Sequence, residues 1–312
     1  MQFAAVFPGQ GSQSLGMLAE LASVHPEIKN TFEEASDILG KNLWDMTTAD
    51  SNDTINLTVN TQPLMLAAGV AVWKIWQKGG GCLPVAMAGH SLGEYSALVA
   101  SGALAFDDGI RLVSKRARFM QEAVPAGEGA MAAILGLEDN QIIDICSNTT
   151  EGGIVEAVNF NSPGQVVIAG NTKTVDIAIS KLTEAGAKRA VKLPVSVPFH
   201  CNLLKEAAEK FKQELSKVEF KDTEYNIVQN FEAKSYKSNQ ERKDALSEQF
   251  YKPVLWVDCI NNLSKDYNAD TIIEFGPGKV LFGLNRRINR SLGNICISDS
   301  ASLEKALAMC NA

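Results

Sequence analysis

The stretch AMAGHSLGEYSAL, Ala86 to Leu98, sets a serine between two glycines, Gly89-His90-Ser91-Leu92-Gly93. Small apolar residues lead into it and a helix-like pattern leads out. Gly-x-Ser-x-Gly in that context predicts a nucleophile elbow, a sharp strand-to-helix turn that lifts the hydroxyl to the end of a sheet for attack on a carbonyl carbon. The same five residues also suit a plain tight turn whose serine caps a helix. In the elbow reading the backbone N–H of Leu92, at the helix N-terminus, points toward developing negative charge.

A serine nucleophile needs a base, and the chain offers three histidines. His25, in ASVHPEI, lies far from any glycine loop and is expected at the surface. His90 adjoins Ser91, but adjacent side chains diverge on a sharp turn, so it suits a pocket wall better than a base. His200, in the proline-bounded segment LPVSVPFHCNLL, is the base that elimination leaves. Cys201 beside it is expected to be a packing residue.

The predicted helix DDGIRLVSKRARFMQEAV supplies a charge. With Ile110 at zero and about 100° per residue, Arg111, Ser114, Lys115, Arg118, Gln121 and Glu122 share one side. Leu112, Val113, Ala117, Phe119, Met120, Ala123 and Val124 share the other, and Arg116 falls in their middle, at about 240°. A buried guanidinium stays charged and needs an anion. That anion is either an internal Asp or Glu or the carboxylate of a substrate, which a planar guanidinium grips with two bonds.

These residues require a framework. Three segments share one grammar of β-rich run, glycine loop and amphipathic run: QFAAVF-PGQGSQ-SLGMLAELA, PVAMA-GHSLG-EYSALVA and TIIEF-GPG-KVLFGLNRRI. Such units build a parallel sheet covered by helices, with the glycine loops on the carboxyl rim where ligands bind. FPGQGSQ lacks the Gly-Lys-Ser/Thr ending and the G-x-G-x-x-G spacing of nucleotide loops, so its backbone N–H groups are better placed to face an oxyanion. After Pro125-Ala126-Gly127 the pattern becomes β-α-β-β-α-β, a ferredoxin-like unit. The fold class is α/β: an α/β-hydrolase-like large domain with a parallel sheet, residues 1–126 and 198–312, with a small ferredoxin-like domain, residues 127–197, inserted in it.

Composition narrows the classes. In 312 residues, 46% hydrophobic and 21% charged, no apolar run is long enough to span a membrane, and the N-terminus lacks the basic flank of a signal peptide. A cytoplasmic location is expected. The net charge of −7 argues against nucleic acid as a partner. Six scattered cysteines without a CxxC pair are expected to be reduced thiols, with no metal site. Thr47 to Thr58 is a polar, acidic stretch.

Taken in order, GQGSQ, GHSLGEYSAL, KRARFMQEAVP, NFNSPGQVVIAG, PVSVPFH, QFYKPVLW and EFGPGKVLFGL resemble the malonyl-CoA:acyl-carrier-protein transacylases of bacterial fatty acid synthesis over nearly the whole chain. The resemblance implies Ser91 as acyl nucleophile and His200 as its base, with the backbone carbonyl of Gln249 orienting the histidine. It implies an oxyanion hole from the N–H groups of Gln10 and Leu92, and Arg116 as holder of the malonyl carboxylate. His90, Asn161 and Phe199 are expected to line the substrate pocket.

The implied reaction is ping-pong acyl transfer through malonyl-Ser91. The coenzyme A thioester is the substrate, the phosphopantetheine thiol of the carrier protein is the acceptor, and no cofactor is bound permanently. A serine esterase or thioesterase, with water as acceptor, and a non-catalytic acyltransferase-like scaffold that binds carrier proteins are the alternatives. The chain is expected to act as a monomer that meets an acidic carrier transiently. Lys188, Arg189, Lys192, Lys279, Arg286, Arg287 and Arg290 could form a basic docking rim, or stand as ordinary solvated charges.

Overall fold

The computed structural model describes residues 1–49, 53–195 and 197–310. Residues 50–52 of the polar stretch and residue 196 of PVSVPFH lie outside the described residues.

Among the described residues, ten strands form two sheets: β1 Phe3–Phe7, β2 Ala86–Gly89, β3 Gly129–Leu135, β4 Val155–Ser162, β5 Gln165–Asn171, β6 Arg189–Lys192, β7 Asn226–Gln229, β8 Lys234–Ser235, β9 Thr271–Phe275 and β10 Gly293–Ile297. The larger sheet has the order β10-β9-β1-β2-β7-β8. Its first five strands run parallel, and β8 closes the edge as a short antiparallel strand. β1 and β2 are wholly buried apolar runs, as strands covered on both faces must be, and β9 is equally buried although it carries Thr271 and Glu274. These three precede the glycine loops, and they are neighbours in the sheet, so the loops meet on one rim. The contact is backbone to backbone: a Cβ at Gly93 would lie 2.0 Å from the Phe7 carbonyl oxygen, and one at Gly89 would lie 1.9 Å from the Gly93 carbonyl carbon.

One face of this sheet is held by helix Thr58–Lys78, buried along almost its whole length. Phe3, Phe7, Trp73, Trp76 and Phe275 pack there edge-to-face, with ring centroids 5.2–6.4 Å apart. Helix Phe106–Ala123 packs on helix Thr58–Lys78 and buries the stripe expected of it, while Arg111, Arg118 and Glu122 stay exposed. Behind FPGQGSQ the helix starts only at Ala19. Gly11, Gly16 and Leu18 all have positive φ, and the chain before the helix passes through turns at residues 10–11 and 15–18.

The smaller sheet has the order β4-β5-β3-β6 and is antiparallel throughout. Helices Asp139–Ser147 and Thr172–Glu184 pack on one face through Ile142, Cys146, Val175, Ala178 and Leu182. The other face carries Met131, Val158, Val167 and Ala169 against Cys201 and Phe199. The outer edge of β4 is bonded to the larger unit, since Phe160 N–H donates to Val254 O and Val254 N–H to Val158 O. The pleat of the small sheet therefore aims one side of its strands at the rim of the large one.

The cysteines correct one expectation. Cys82 and Cys310, 228 residues apart in sequence, form a disulfide between the loop after helix Thr58–Lys78 and the last helix, Ser300–Cys310. Local spacing carries no trace of such a pairing; only the packing of the last helix creates it. Cys146, Cys201, Cys259 and Cys296 are free thiols. Among the described residues no helix is long and apolar enough to cross a membrane, and no group of three His, Cys, Asp or Glu side chains could hold a metal.

Candidate active site

A cavity of about 530 Å³ opens between the rim of the large sheet and the inner face of the small one. Gln10, Gln62, Ser91, Leu92 and Arg116 line it from the first side, Met131, Asn159, Asn161 and Val167 from the second, and Phe199 and His200 from the returning segment.

Ser91 sits at the end of β2 with φ +51°, a conformation that costs a non-glycine residue on the order of 1–3 kcal/mol and persists only where neighbours impose it. Asn230 is one such neighbour. Its Oδ1 accepts from Ser91 N–H at 2.7 Å, and its Nδ2 donates to Gly89 O at 2.8 Å, so one side-chain amide fastens both limbs of the turn. The Ser91 hydroxyl then meets His200 Nε2 at 2.7 Å. His200, also at positive φ and 3% exposed, is fixed at its other nitrogen, Nδ1, 2.6 Å from the carbonyl oxygen of Gln249. A carbonyl can only accept, so Nδ1 carries the proton and Nε2 presents a lone pair to the serine.

Burial and the nearby positive charge of Arg116 push the His200 pKa down to about 3, against the bond to Gln249 that favours the charged form. The imidazole is therefore neutral at ordinary pH, as a base must be. Cys201 points away, donating to Pro198 O, and burial pushes its thiol up to about 12. It is a packing residue without nucleophilic character.

Arg116 is 1% exposed, and among the described residues no Asp or Glu pairs with it directly. Nη1 donates to Gln62 Oε1 at 2.9 Å, and Nη2 donates to Gln249 Oε1 at 2.9 Å and to Ser91 Oγ at 3.2 Å. Tyr95 and Phe250 place their rings 5.5 and 5.6 Å from the guanidinium carbon. The side chain is thus held by neutral amides and aromatic faces, with its end beside the Ser91 hydroxyl. Neutral acceptors position a guanidinium without cancelling its charge.

Leu92 and Gln10 flank Ser91 on the cavity wall. Among the described residues neither backbone N–H has a protein acceptor, which leaves both donors available to an oxygen bound there. His90 forms a wall: its Nε2 lies 2.7 Å from Asn161 Oδ1, and its ring stands edge-on to Trp256 with centroids 5.4 Å apart. Phe199 lines the same cavity. His25 is half-buried between helices Ala19–Val24 and Pro26–Leu39, away from it.

Gln62, Asn230 and Glu94 were not anticipated from the sequence. Glu94 is wholly buried, accepting from Gln229 Nε2, Asn230 N–H and Gln249 Nε2. Burial pushes its carboxyl up to about 7, while the three donors and Arg116 favour its ionised form. The signal the sequence does carry is that Glu94 is the lone acid in the apolar run GEYSALVA, helix Gly93–Ala100.

The arrangement suits covalent acyl transfer: a hydroxyl with a neutral base, two free N–H donors, and a fixed cation 3.2 Å from that hydroxyl. Comparison with known proteins agrees. Residues 5–293 match the acyl transferase domain family. The chain is 49% identical over 306 residues to the malonyl CoA-acyl carrier protein transacylase of Salmonella typhimurium, covering 98% of this chain and 99% of that protein. It superimposes on an acyl carrier protein S-malonyltransferase from Vibrio cholerae with a TM-score of 0.95 and 48% identity, over 98% of this chain and 99% of that one. A second solved structure, a malonyl-transacylase in complex with its type II polyketide synthase acyl-carrier protein, gives 0.97 and 47%, over 99% and 100%.

Proposed function

The chain belongs to the acyl transferase domain family, and we propose that within it this protein moves malonyl from malonyl-CoA to the phosphopantetheine thiol of an acyl carrier protein, in fatty acid biosynthesis. Close relatives along the whole chain carry that activity in their names. The observation that bears most weight is the buried Arg116 guanidinium, 3.2 Å from Ser91 Oγ and free of a directly bonded carboxylate among the described residues.

In the first half-reaction His200 Nε2 takes the Ser91 proton as Oγ attacks the thioester carbonyl. The Gln10 and Leu92 N–H groups receive the oxyanion. Collapse breaks the C–S bond, and coenzyme A departs as a thiol with the proton from His200. Malonyl remains as an ester on Ser91, its carboxylate on Arg116. In the second half the carrier's thiol gives its proton to His200, attacks the ester and leaves with the acyl group, and Ser91 recovers its proton. Arg116 selects the acyl group: a malonyl carboxylate pairs with it, whereas an acetyl methyl leaves a buried charge unsatisfied.

In this reading residues 127–197 form the small domain that roofs the site, and residues 1–126 and 198–312 form its floor. The acidic carrier meets a basic rim at one end of the small sheet. Arg189 is two strands from Gln165 through Leu135, and Gln165 Oε1 accepts from Arg287 Nη1. Lys192 falls out of the rim, paired with Asp176.

Intact-mass measurement after mixing with malonyl-CoA tests the proposal. Wild type should gain one malonyl group and pass it to holo carrier protein faster than to water, and Ser91→Ala should gain none. Release of free malonate as the main product would make the protein a thioesterase.

A further inference from the structure

Glu94 lies under the site without touching the cavity, yet its bonds end at Arg116. Three N–H groups converge on its carboxylate, from Gln229 Nε2 at 2.7 Å, Asn230 N at 2.8 Å and Gln249 Nε2 at 2.9 Å. The Gln249 amide is the link, since its Nε2 also donates to Ser91 O at 3.0 Å while its Oε1 accepts from Arg116 Nη2 at 2.9 Å.

An ionised carboxylate only accepts. Glu94 thereby forces the NH₂ end of Gln249 toward itself and the oxygen toward Arg116. With the amide reversed, two NH₂ donors would confront each other at the guanidinium and an oxygen would confront the carboxylate. The carboxylate also supplies a counter-charge one side chain removed. It tempers the cost of burying Arg116 without occupying the N–H groups that face Ser91.

We infer that Glu94 is a positioning residue for acyl-group selection: through the Gln249 side chain it fixes which edge of the Arg116 guanidinium the protein holds and which edge stays open to a substrate carboxylate. The inference rests on the reading of Arg116 as the carboxylate clamp. Glu94 contacts neither substrate nor reacting atoms; acting through the Gln249 side chain on Arg116, it weighs on acyl groups that need Arg116, whereas a purely structural role through Asn230 and the Ser91 turn would lower loading of every acyl group alike.

The test is single-turnover loading of Ser91 on the full chain, with malonyl-CoA and with acetyl-CoA, in wild type, Glu94→Gln, Glu94→Asp, Arg116→Ala and the Glu94→Gln/Arg116→Ala double variant. In Glu94→Gln, malonyl loading should fall about 10- to 100-fold, chiefly through weaker saturation, with acetyl loading within about threefold of wild type. Added to Arg116→Ala, the same substitution should change malonyl loading no further, because its route is already cut. Glu94→Asp retains the charge but shortens the reach to Gln249, so it should show the same selective loss in smaller degree even where Glu94→Gln does not accumulate as folded protein. Equal losses for both acyl groups in either variant, or losses that multiply in the double variant, would overturn the inference. A wild type that takes up no malonyl overturns the clamp reading itself, a result distinct from a wild type that loads malonyl while the Glu94 variants do so undiminished.

Discussion

Ser91 Oγ is shared between two side chains of opposite duty: His200 Nε2 lies 2.7 Å from it, and Arg116 Nη2 donates to it at 3.2 Å. In the proposed mechanism the group that removes the proton and the group that holds the far end of the acyl chain thus converge on one oxygen. Activation and selection are coupled at that atom, and substitutions around it should separate by which of the two they disturb.

Arg116→Ala should disturb selection. A malonyl carboxylate brought into this cavity without its cation is an unpaired, largely desolvated charge, so kcat/KM for malonyl loading should fall about 100- to 1000-fold. Acetyl loading should fall far less, since a methyl group makes no bond to lose. Parallel loading rates with the two thioesters check this, and equal losses would reassign Arg116 to supporting the fold.

The pH dependence of loading should lack the histidine step. With the His200 pKa pushed down to about 3 by burial and Arg116, from an ordinary 6.5, the base stays neutral as pH falls through the usual histidine range. The expected profile of kcat/KM for acetyl loading, which does not call on Arg116, is flat between pH 7.5 and about 5; a tenfold loss per unit below 6.5 would mean that the site opens to water in solution. Stability carries the same sign for this residue. A depressed folded pKa contributes stability that is present above 6.5 and is lost as pH falls toward about 3. Glu94 works oppositely, because a carboxyl raised from 4.5 to about 7 contributes stability below 4.5 that is lost as pH rises through 7.

How much of this was legible in the sequence follows from the range of each interaction. Ser91 and Arg116 were legible because an elbow and a helical stripe are local patterns, and the buried Arg116 in helix Phe106–Ala123 is where its wheel position puts it. The order of the small sheet was legible for the same reason, since hairpins and crossovers leave punctuation in the chain. Gln62, Asn230 and the Cys82–Cys310 disulfide were not. Each acts across 54 to 228 residues, and amides or lone thiols at such distances leave no periodic signature. Of the two anions expected for Arg116, an internal acid takes part only indirectly: Glu94 reaches it through Gln249, and a wheel cannot show a bond routed through a third side chain.

Carrier docking should respond to charge. Arg287 reaches the end of the small sheet at Gln165, the same end at which Arg189 lies. Reversal in Arg287→Glu should slow malonyl transfer to an acidic carrier about tenfold at low salt and leave loading from malonyl-CoA unchanged. Raising ionic strength should shrink the difference between wild type and variant as exposed charges are screened. A defect that persists undiminished at high salt would make the contact packing rather than steering.

Asn230→Ala should fail in the opposite way to Arg116→Ala. Its side chain satisfies Ser91 N–H and Gly89 O at once, and both groups lie on the turn that holds Ser91 at φ +51°. Truncation leaves a donor and an acceptor unpaired in a dry interior, at about 1–3 kcal/mol each, and leaves the strained residue to the bond from Gln249 Nε2 to Ser91 O. The urea midpoint should therefore drop. Loading should fall for malonyl and acetyl by the same factor, because both need the hydroxyl in line with His200 and beneath the Gln10 and Leu92 N–H groups. Urea melts together with loading by the two thioesters decide it. A loss confined to malonyl would show that Asn230 acts through Arg116 instead of through the elbow.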